Sequence, residues 1–347
     1  MSLKVMAWPA FKNRQQNPYN YLLYTKLQEL GVQVEEFSHK KAWQTSPDIL
    51  HLHWPEFQYE SLKLSVARST MLLLLLRKLR AFKTKIIWTA HNLAPHDLHH
   101  PRLNEWFWNQ FLPLLDGSIF LSEASRELAY ATHPKLQQAQ SFLVPHGHYR
   151  DIYPAPTPKE KARESLKLPQ DTFVLLFVGA VRRYKGVLSL LQSYRQTQSP
   201  RTLLLIAGSA REPEYERELR IAAEGDNRIR LDLRFLSDEE MGLHLSAADL
   251  VVLPYQKILN SGSALLALSY SRPVLVPAQG SMQELQAQVG ESWTNTYHDE
   301  LNPQRLEQAI SWAQSNNETV APLEEFAWDK LAQQTLQAYE TLLRSHS

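Results

Sequence analysis

"TFVLLFVGAVRRYKGVLSLLQSY", residues 172–194, decides how the rest of the chain is read. It opens as a near-continuous apolar run, the pattern of a parallel strand covered on both faces. Gly179 ends the run, Arg182, Arg183 and Lys185 follow, and a helical pattern begins at once. A strand, a glycine and a helix start are the parts of a phosphate site. The same junction also describes an ordinary solvated basic turn. The segments around it have to decide.

Downstream come "RTLLLIAGS", "RIRLDLRF", "AADLVVLPY" and "RPVLVPA", each separated by a helical segment. Upstream, "LKVMAW", "VQVEEF", "PDILHLHW", "TKIIWTAHN", "LLDGSIFLS" and "AQSFLVPHG" read as strands. Helical patterns lie among them, including "PYNYLLYTKLQELG", closed by Gly31, and "EASRELAYATH", capped by Ser122. Alternation of this kind predicts an α/β fold with parallel sheets, in two Rossmann-like doubly wound domains facing a cleft. "YPAPTPKEKARESLKLPQD" reads as the linker. The domains are expected at 1–155 and 156–325, with a C-terminal helix at 326–347 that crosses back to the first.

At 347 residues two domains are the better expectation, and 44% hydrophobic with 21% charged residues is ordinary globular composition. The net charge of +1 gives no field for nucleic acid, and no nucleic-acid-binding motif is present. The absence of cysteine removes disulfides, thiolate catalysis and cysteine-ligated zinc, and fits a reducing cytoplasm. The N-terminus lacks a signal-peptide pattern, and the run Met71 to Leu76 is too short to span a bilayer.

The ordered series "FVGAVRRYKGVLSLLQSY", "LLLIAGSA", "LSDEEMGLHLSAADLVVLPY" and "SYSRPVLVPAQGSMQEL" resembles the GT-B-fold glycosyltransferases that use a nucleotide-activated sugar, of the glycosyl transferases group 1, family-4-like type. "DILHLHWPE", "WTAHNLAPHD" and "LVPHGHY" stand where that family has its strand ends. The resemblance implies a nucleotide diphosphate held by the C-terminal domain and an acceptor held by the N-terminal one. Lys185 falls on the family's diphosphate lysine. The usual arginine after the strand glycine is replaced by Ala180, and Arg182 is the nearby substitute. The usual glutamate pair is replaced by Ile258 and Leu266. Beside them "NSGS" (Asn260, Ser261, Gly262, Ser263) opens an apolar helix, whose backbone N–H groups can meet an anion. Gly179, Gly208 and His146 complete the expected donor contacts. No Asp-x-Asp motif is present, so no metal and no cofactor are expected.

His91, at a strand end, and Asp97 are the expected catalytic residues of the first domain, with Glu123 as a further candidate base. His51 and His53 alternate along a strand, so at least one packs in the core. His96, Asp97, His99 and His100 resemble a metal cluster but lack a separate third ligand motif. From Leu62 to Ala90 the chain carries Lys63, Arg68, Arg77, Lys78, Arg80, Lys83 and Lys85 and no acid, a pattern open to peripheral contact with an anionic membrane or to a buried helix with a basic edge. The expected activity is metal-independent transfer of a hexosyl unit from a nucleotide diphosphate sugar to a glycan or lipid-linked hydroxyl, in the cytoplasm or at the inner face of the cell membrane. A nucleotide-sugar epimerase and a catalytically silent donor-binding subunit stay open as alternatives.

Overall fold

Every strand named below is parallel to its neighbours, and the strands lie in two six-stranded sheets. The structure, a computed structural model, describes residues 2–15, 17–56, 61–93, 99–256 and 258–344. It divides into two units, Met1–Gly147 with Phe326–Ser347, and His148–Glu325.

The first unit runs β1 (Lys4–Trp8), α1 (Tyr19–Glu29), β2 (Gln33–Glu36), α2 (His39–Gln44), β3 (Ile49–Leu52), α3 (Leu62–Ala81), β4 (Lys85–Thr89), α4 (Pro101–Phe111), β5 (Gly117–Phe120), α5 (Glu123–Thr132) and β6 (Gln140–Leu143). Its sheet order is β2-β1-β3-β4-β5-β6. The chain therefore reverses direction across the sheet between β1 and β3, the point where doubly wound sheets open a crevice at their carboxyl ends. The helix α3 buries Ser65, Ser69, Leu72, Leu76 and Leu79, a spacing of three and four that faces one side to the sheet. Leu50, Leu52, Ile86, Trp88, Phe107 and Phe111 fill the core beneath it.

The second unit runs α6 (Lys159–Ser165), β7 (Phe173–Val178), α7 (Val187–Arg195), β8 (Thr202–Ala207), α8 (Pro213–Ala223), β9 (Ile229–Asp232), α9 (Asp238–Ala247), β10 (Leu250–Val252), α10 (Gly262–Ser269), β11 (Val274–Pro277), α11 (Met282–Val289), β12 (Thr294–Tyr297) and α12 (Pro303–Ser315). The order β12-β11-β10-β7-β8-β9 puts the reversal between β7 and β10. The last helix, α13 (Trp328–Arg344), belongs to the first unit. It packs on α1, with Trp328 edge-on to Tyr19 at 5.2 Å and Asp329 paired to Lys26 at 3.1 Å.

The structure corrects two expectations. The division falls between Gly147 and His148, not at 155, because the proline-rich stretch folds onto the second unit. There Arg163 of α6 is buried and pairs with Asp249 at 2.6 Å, while Tyr270 Oη donates to the Pro154 carbonyl at 2.6 Å. Lys85 leaves the basic surface: it is buried in β4, with its Nζ 3.9 Å from Asp116.

Candidate active site

At the carboxyl end of β7 the backbone turns through Gly179 (φ +116°) into a short 3-10 turn, Arg183–Lys185, and then α7. Gly186, at φ +68°, has no room for a side chain, since a Cβ there would stand 2.0 Å from the Pro254 carbonyl oxygen. The turn therefore lies against the segment that leaves β10, and Gln256 N donates to the Tyr184 carbonyl at 2.9 Å. This docking brings Lys185 Nζ to 5.7 Å from the Tyr255 ring centroid.

The start of α10 meets it there. Ser261 caps α10 by accepting from Ala264 N at 3.1 Å, which leaves the N–H groups of Gly262 and Ser263 without an intrahelical acceptor. The Tyr255 hydroxyl lies against Ser261 at 3.5 Å and also meets Ser263. A Cβ placed on Gly179 would lie 3.5 Å from Ser263 Oγ and 3.8 Å from Lys185 Nζ. The two motifs, over seventy residues apart in sequence, thus converge over one glycine.

Lys185 is half-buried, and among the described residues its ammonium has no carboxylate within ion-pair distance. Burial first, and the charge of Arg182 as well, hold it below the ordinary lysine range, against an opposing pull from Tyr184. A cation so placed gains by meeting an anionic ligand. Arg182 stands 4.0 Å from Glu212 in a loose pair. Arg183 is committed elsewhere: it is exposed, bridges Glu212 at 3.3 Å and Glu218 at 2.7 Å on α8, and stacks over Tyr215. Gly208 is glycine for packing, since a Cβ would lie 1.9 Å from the Gly179 carbonyl oxygen. Asn260 is half-exposed just before the cap. Of the positions expected to hold glutamates, Leu266 is buried in α10 and Ile258 is half-buried, with its carbonyl against Gly280.

In the first unit the carboxyl edge of the sheet is lined by histidines and aromatic rings. His51 and His53 are both buried. His51 Nε2 meets Thr89 Oγ1 at 2.7 Å and its Nδ1 meets Tyr339 Oη at 2.6 Å. Tyr339 and Tyr24 share a hydrogen bond, Tyr24 Oη meets His53 Nε2 at 2.6 Å, and His53 Nδ1 meets His91 Nε2 at 2.9 Å. The chain of bonds from Thr89 to His91 is buried throughout. Burial holds all these imidazoles neutral, with His51 lowered to about 3 and His53 and His91 well below the ordinary histidine value. His91 stacks on Trp54 at 4.5 Å and meets the Tyr19 edge at 4.8 Å. His146, lowered by burial to about 4, approaches the same Tyr19 ring at 4.9 Å. The structure thus gathers His91 and His146 around Tyr19.

Glu123 sits in the first turn of α5, paired with Arg126. Asp97 and His96 lie outside the described residues. His99 and His100 stand at the start of α4, and among the described residues no group of three metal-ligating side chains forms. The sequence reading passed over Tyr19, Tyr255 and Tyr339, whose apolar rings look like core in any local pattern. It also passed over Glu56, although "HLHWPE" put a carboxylate just beyond a strand end.

Residues 158–328 match the family model described as glycosyl transferases group 1. The chain is 32% identical over 330 residues to the GDP-mannose:glycolipid 4-beta-D-mannosyltransferase of Xanthomonas campestris pv. campestris, covering 94% of this chain and 89% of that protein. Among solved structures, sucrose-phosphate synthase from Thermosynechococcus elongatus superposes with a TM-score of 0.69 at 19% identity, over 99% of this chain and 100% of that one. Anabaena HepE in complex with UDP-glucose superposes with a TM-score of 0.65 at 17% identity, over 99% of each chain.

Proposed function

The chain belongs to the group 1 glycosyl transferases and is a hexosyltransferase of the GT-B fold, and from that premise we propose that it moves a mannosyl unit from GDP-mannose to a hydroxyl of a lipid-linked glycan, forming a β linkage. The observation that carries the reading is the convergence of Lys185 and Ser263 over Gly179, with Ser261 beside them against Tyr255, a cationic cradle for a diphosphate. The donor and the linkage rest on the identity to the Xanthomonas protein.

Lys185, with Arg182 beside it, stabilises the diphosphate as it departs, and the N–H groups at the start of α10 add hydrogen bonds that strengthen as charge develops. Each charge-assisted contact contributes roughly 1.5–3 kcal/mol. These groups supply the electrophilic assistance, so the reaction is proposed to run without a divalent cation. Apolar Ile258 and Leu266 leave the donor's hydroxyls to other groups. GDP-mannose is α-linked, so a β product means inversion at the anomeric carbon.

Among the described residues no helix is long and apolar enough to cross a membrane. The outer face of α3 and its end nevertheless exposes Leu64, Val66, Met71, Leu74 and Phe82 among Lys63, Arg68, Arg77 and Lys83. We assign this face to peripheral contact with anionic lipid on the cytoplasmic side, where a lipid-linked acceptor would be met. The test of the function is release of GDP from GDP-mannose, in chelator, only when a mannosyl-accepting glycolipid is present, with the product anomer read by NMR. Dependence on added magnesium or manganese would overturn the metal-free mechanism, and an α product would overturn inversion.

A further inference from the structure

We infer that Glu56 is the general base that takes the proton from the acceptor hydroxyl. The inference rests on the inverting transfer proposed above, because direct displacement at the anomeric carbon needs a group to deprotonate the attacking oxygen.

The placement comes first. Glu56 lies four residues beyond Leu52, the last residue of β3, and so leaves the sheet at the reversal between β1 and β3. The loop that carries it is held in place: Trp54 stacks on His91 with ring planes 19° apart, Trp88 Nε1 donates to the His53 carbonyl at 3.3 Å, and Pro55 is buried. Glu56 itself is half-buried rather than sealed in the core.

Among the described residues, the other groups on this edge are committed or too weak; Asp97 lies outside them. Glu36 Oε2 accepts from the backbone N–H groups of Ala10, Phe11 and Lys12, at 3.2, 2.8 and 3.1 Å. Glu123 is paired with Arg126. His146, at about 4, is a poor proton acceptor at neutral pH, and His53 and His91 are held low by the same burial. Glu56 is pushed the other way, up to about 7, by burial against a smaller opposing backbone hydrogen bond. A base of that strength is close to ideal at neutral pH. Among the described residues of this edge, His53, His91, His146 and Tyr19 are held neutral by burial, Glu36 is tied to three backbone N–H groups and Glu123 to Arg126.

In the step, the carboxylate of Glu56 accepts the hydroxyl proton while the oxygen forms a bond to the anomeric carbon. The bond from that carbon to the diphosphate breaks, and GDP leaves with the electron pair. Glu56 then returns its proton to solvent.

The experiment compares wild type with Glu56→Gln, using GDP-mannose and a mannosyl-accepting glycolipid. Glu56→Gln should lower kcat by about a hundredfold or more while GDP-mannose still raises its melting temperature as in wild type. Wild-type kcat/KM should fall below about pH 7, and Glu56→Asp should keep that acidic limb. Turnover of Glu56→Gln within a few-fold of wild type would overturn the assignment. If Glu56→Gln does not fold, the wild-type profile decides: no ionisation between about pH 6 and 8 overturns the base. A wild type that transfers no mannose at all would instead overturn the proposed function beneath it.

Discussion

Lys185 is a partly desolvated cation held over a glycine backbone, and its neighbours on the same turn have different fates. Arg183 is taken up by Glu212 and Glu218, whereas Arg182 touches Glu212 only at 4.0 Å. Lys185→Ala is therefore expected to lower turnover on saturating donor by at least about tenfold, equivalent to about 1.4 kcal/mol, with Arg182→Ala doing similar damage. Arg183→Ala should leave turnover within a few-fold. Equal, near-wild-type rates for all three would remove the diphosphate role from this turn. Gly208 makes a purely steric prediction. Gly208→Ala drives a Cβ onto the Gly179 carbonyl and imposes φ +139° on an L side chain. It should cost about 1–3 kcal/mol or more, read as a lower denaturation midpoint.

At the scale of the element, α3 presents two unlike faces. Its leucines Leu72, Leu75, Leu76 and Leu79 are buried against the sheet, while Met71 and Leu74 stand exposed among basic residues. If the outer face meets lipid, Met71→Ser with Leu74→Ser should abolish sedimentation with anionic vesicles and leave the fold intact, since neither side chain packs inside. Wild type sedimenting equally with neutral and anionic vesicles would refute the electrostatic part, to which each basic residue near the surface adds about 1 kcal/mol. The helix α10 shows the complementary case of a capped N-terminus. Ser261→Ala removes the bond to Ala264 N and should cost about 1 kcal/mol, with donor binding weakened as the helix start loosens.

For the whole molecule, the buried histidines of the first unit set a pH limit. Their folded pKa values lie below the ordinary 6.5, at about 3 for His51 and about 4 for His146. The unfolded chain therefore binds protons first as pH falls below 6.5. The stability they contribute is complete above 6.5 and is lost progressively toward pH 4, by up to about 1.4 kcal/mol per pH unit for each histidine. Glu56 acts in the opposite sense: its raised pKa gives stability that is present below 4.5 and lost as pH rises through about 7. Four histidines oppose one glutamate, so the denaturant midpoint should fall between pH 6.5 and 4. A flat midpoint over that range would contradict the neutral, buried network.

How much of this was legible beforehand divides along a physical line. The alternation of apolar strands and amphipathic helices is a local signal, and so is the glycine and lysine pattern around Gly179. The α/β architecture, and the place of the turn proposed to hold phosphate, could be read from "TFVLLFVGAVRRYKG" and its companions. The edge strand β12, "TNTY", escaped because its polar residues give no apolar run, and it is placed only by pairing with β11. Burial and protonation depend on neighbours far away in sequence. His51 meets Tyr339 from the other end of the chain, Lys85 turned inward to Asp116, and Arg163 in the supposed linker found Asp249. Glu56 stood just beyond a strand end, but nothing local marked its carboxyl as one that would lose its water. The chain by itself determined which segments form strands and helices, because periodicity acts over a few residues. Tertiary packing alone decided which titratable groups lost their water, because desolvation depends on everything that closes around them.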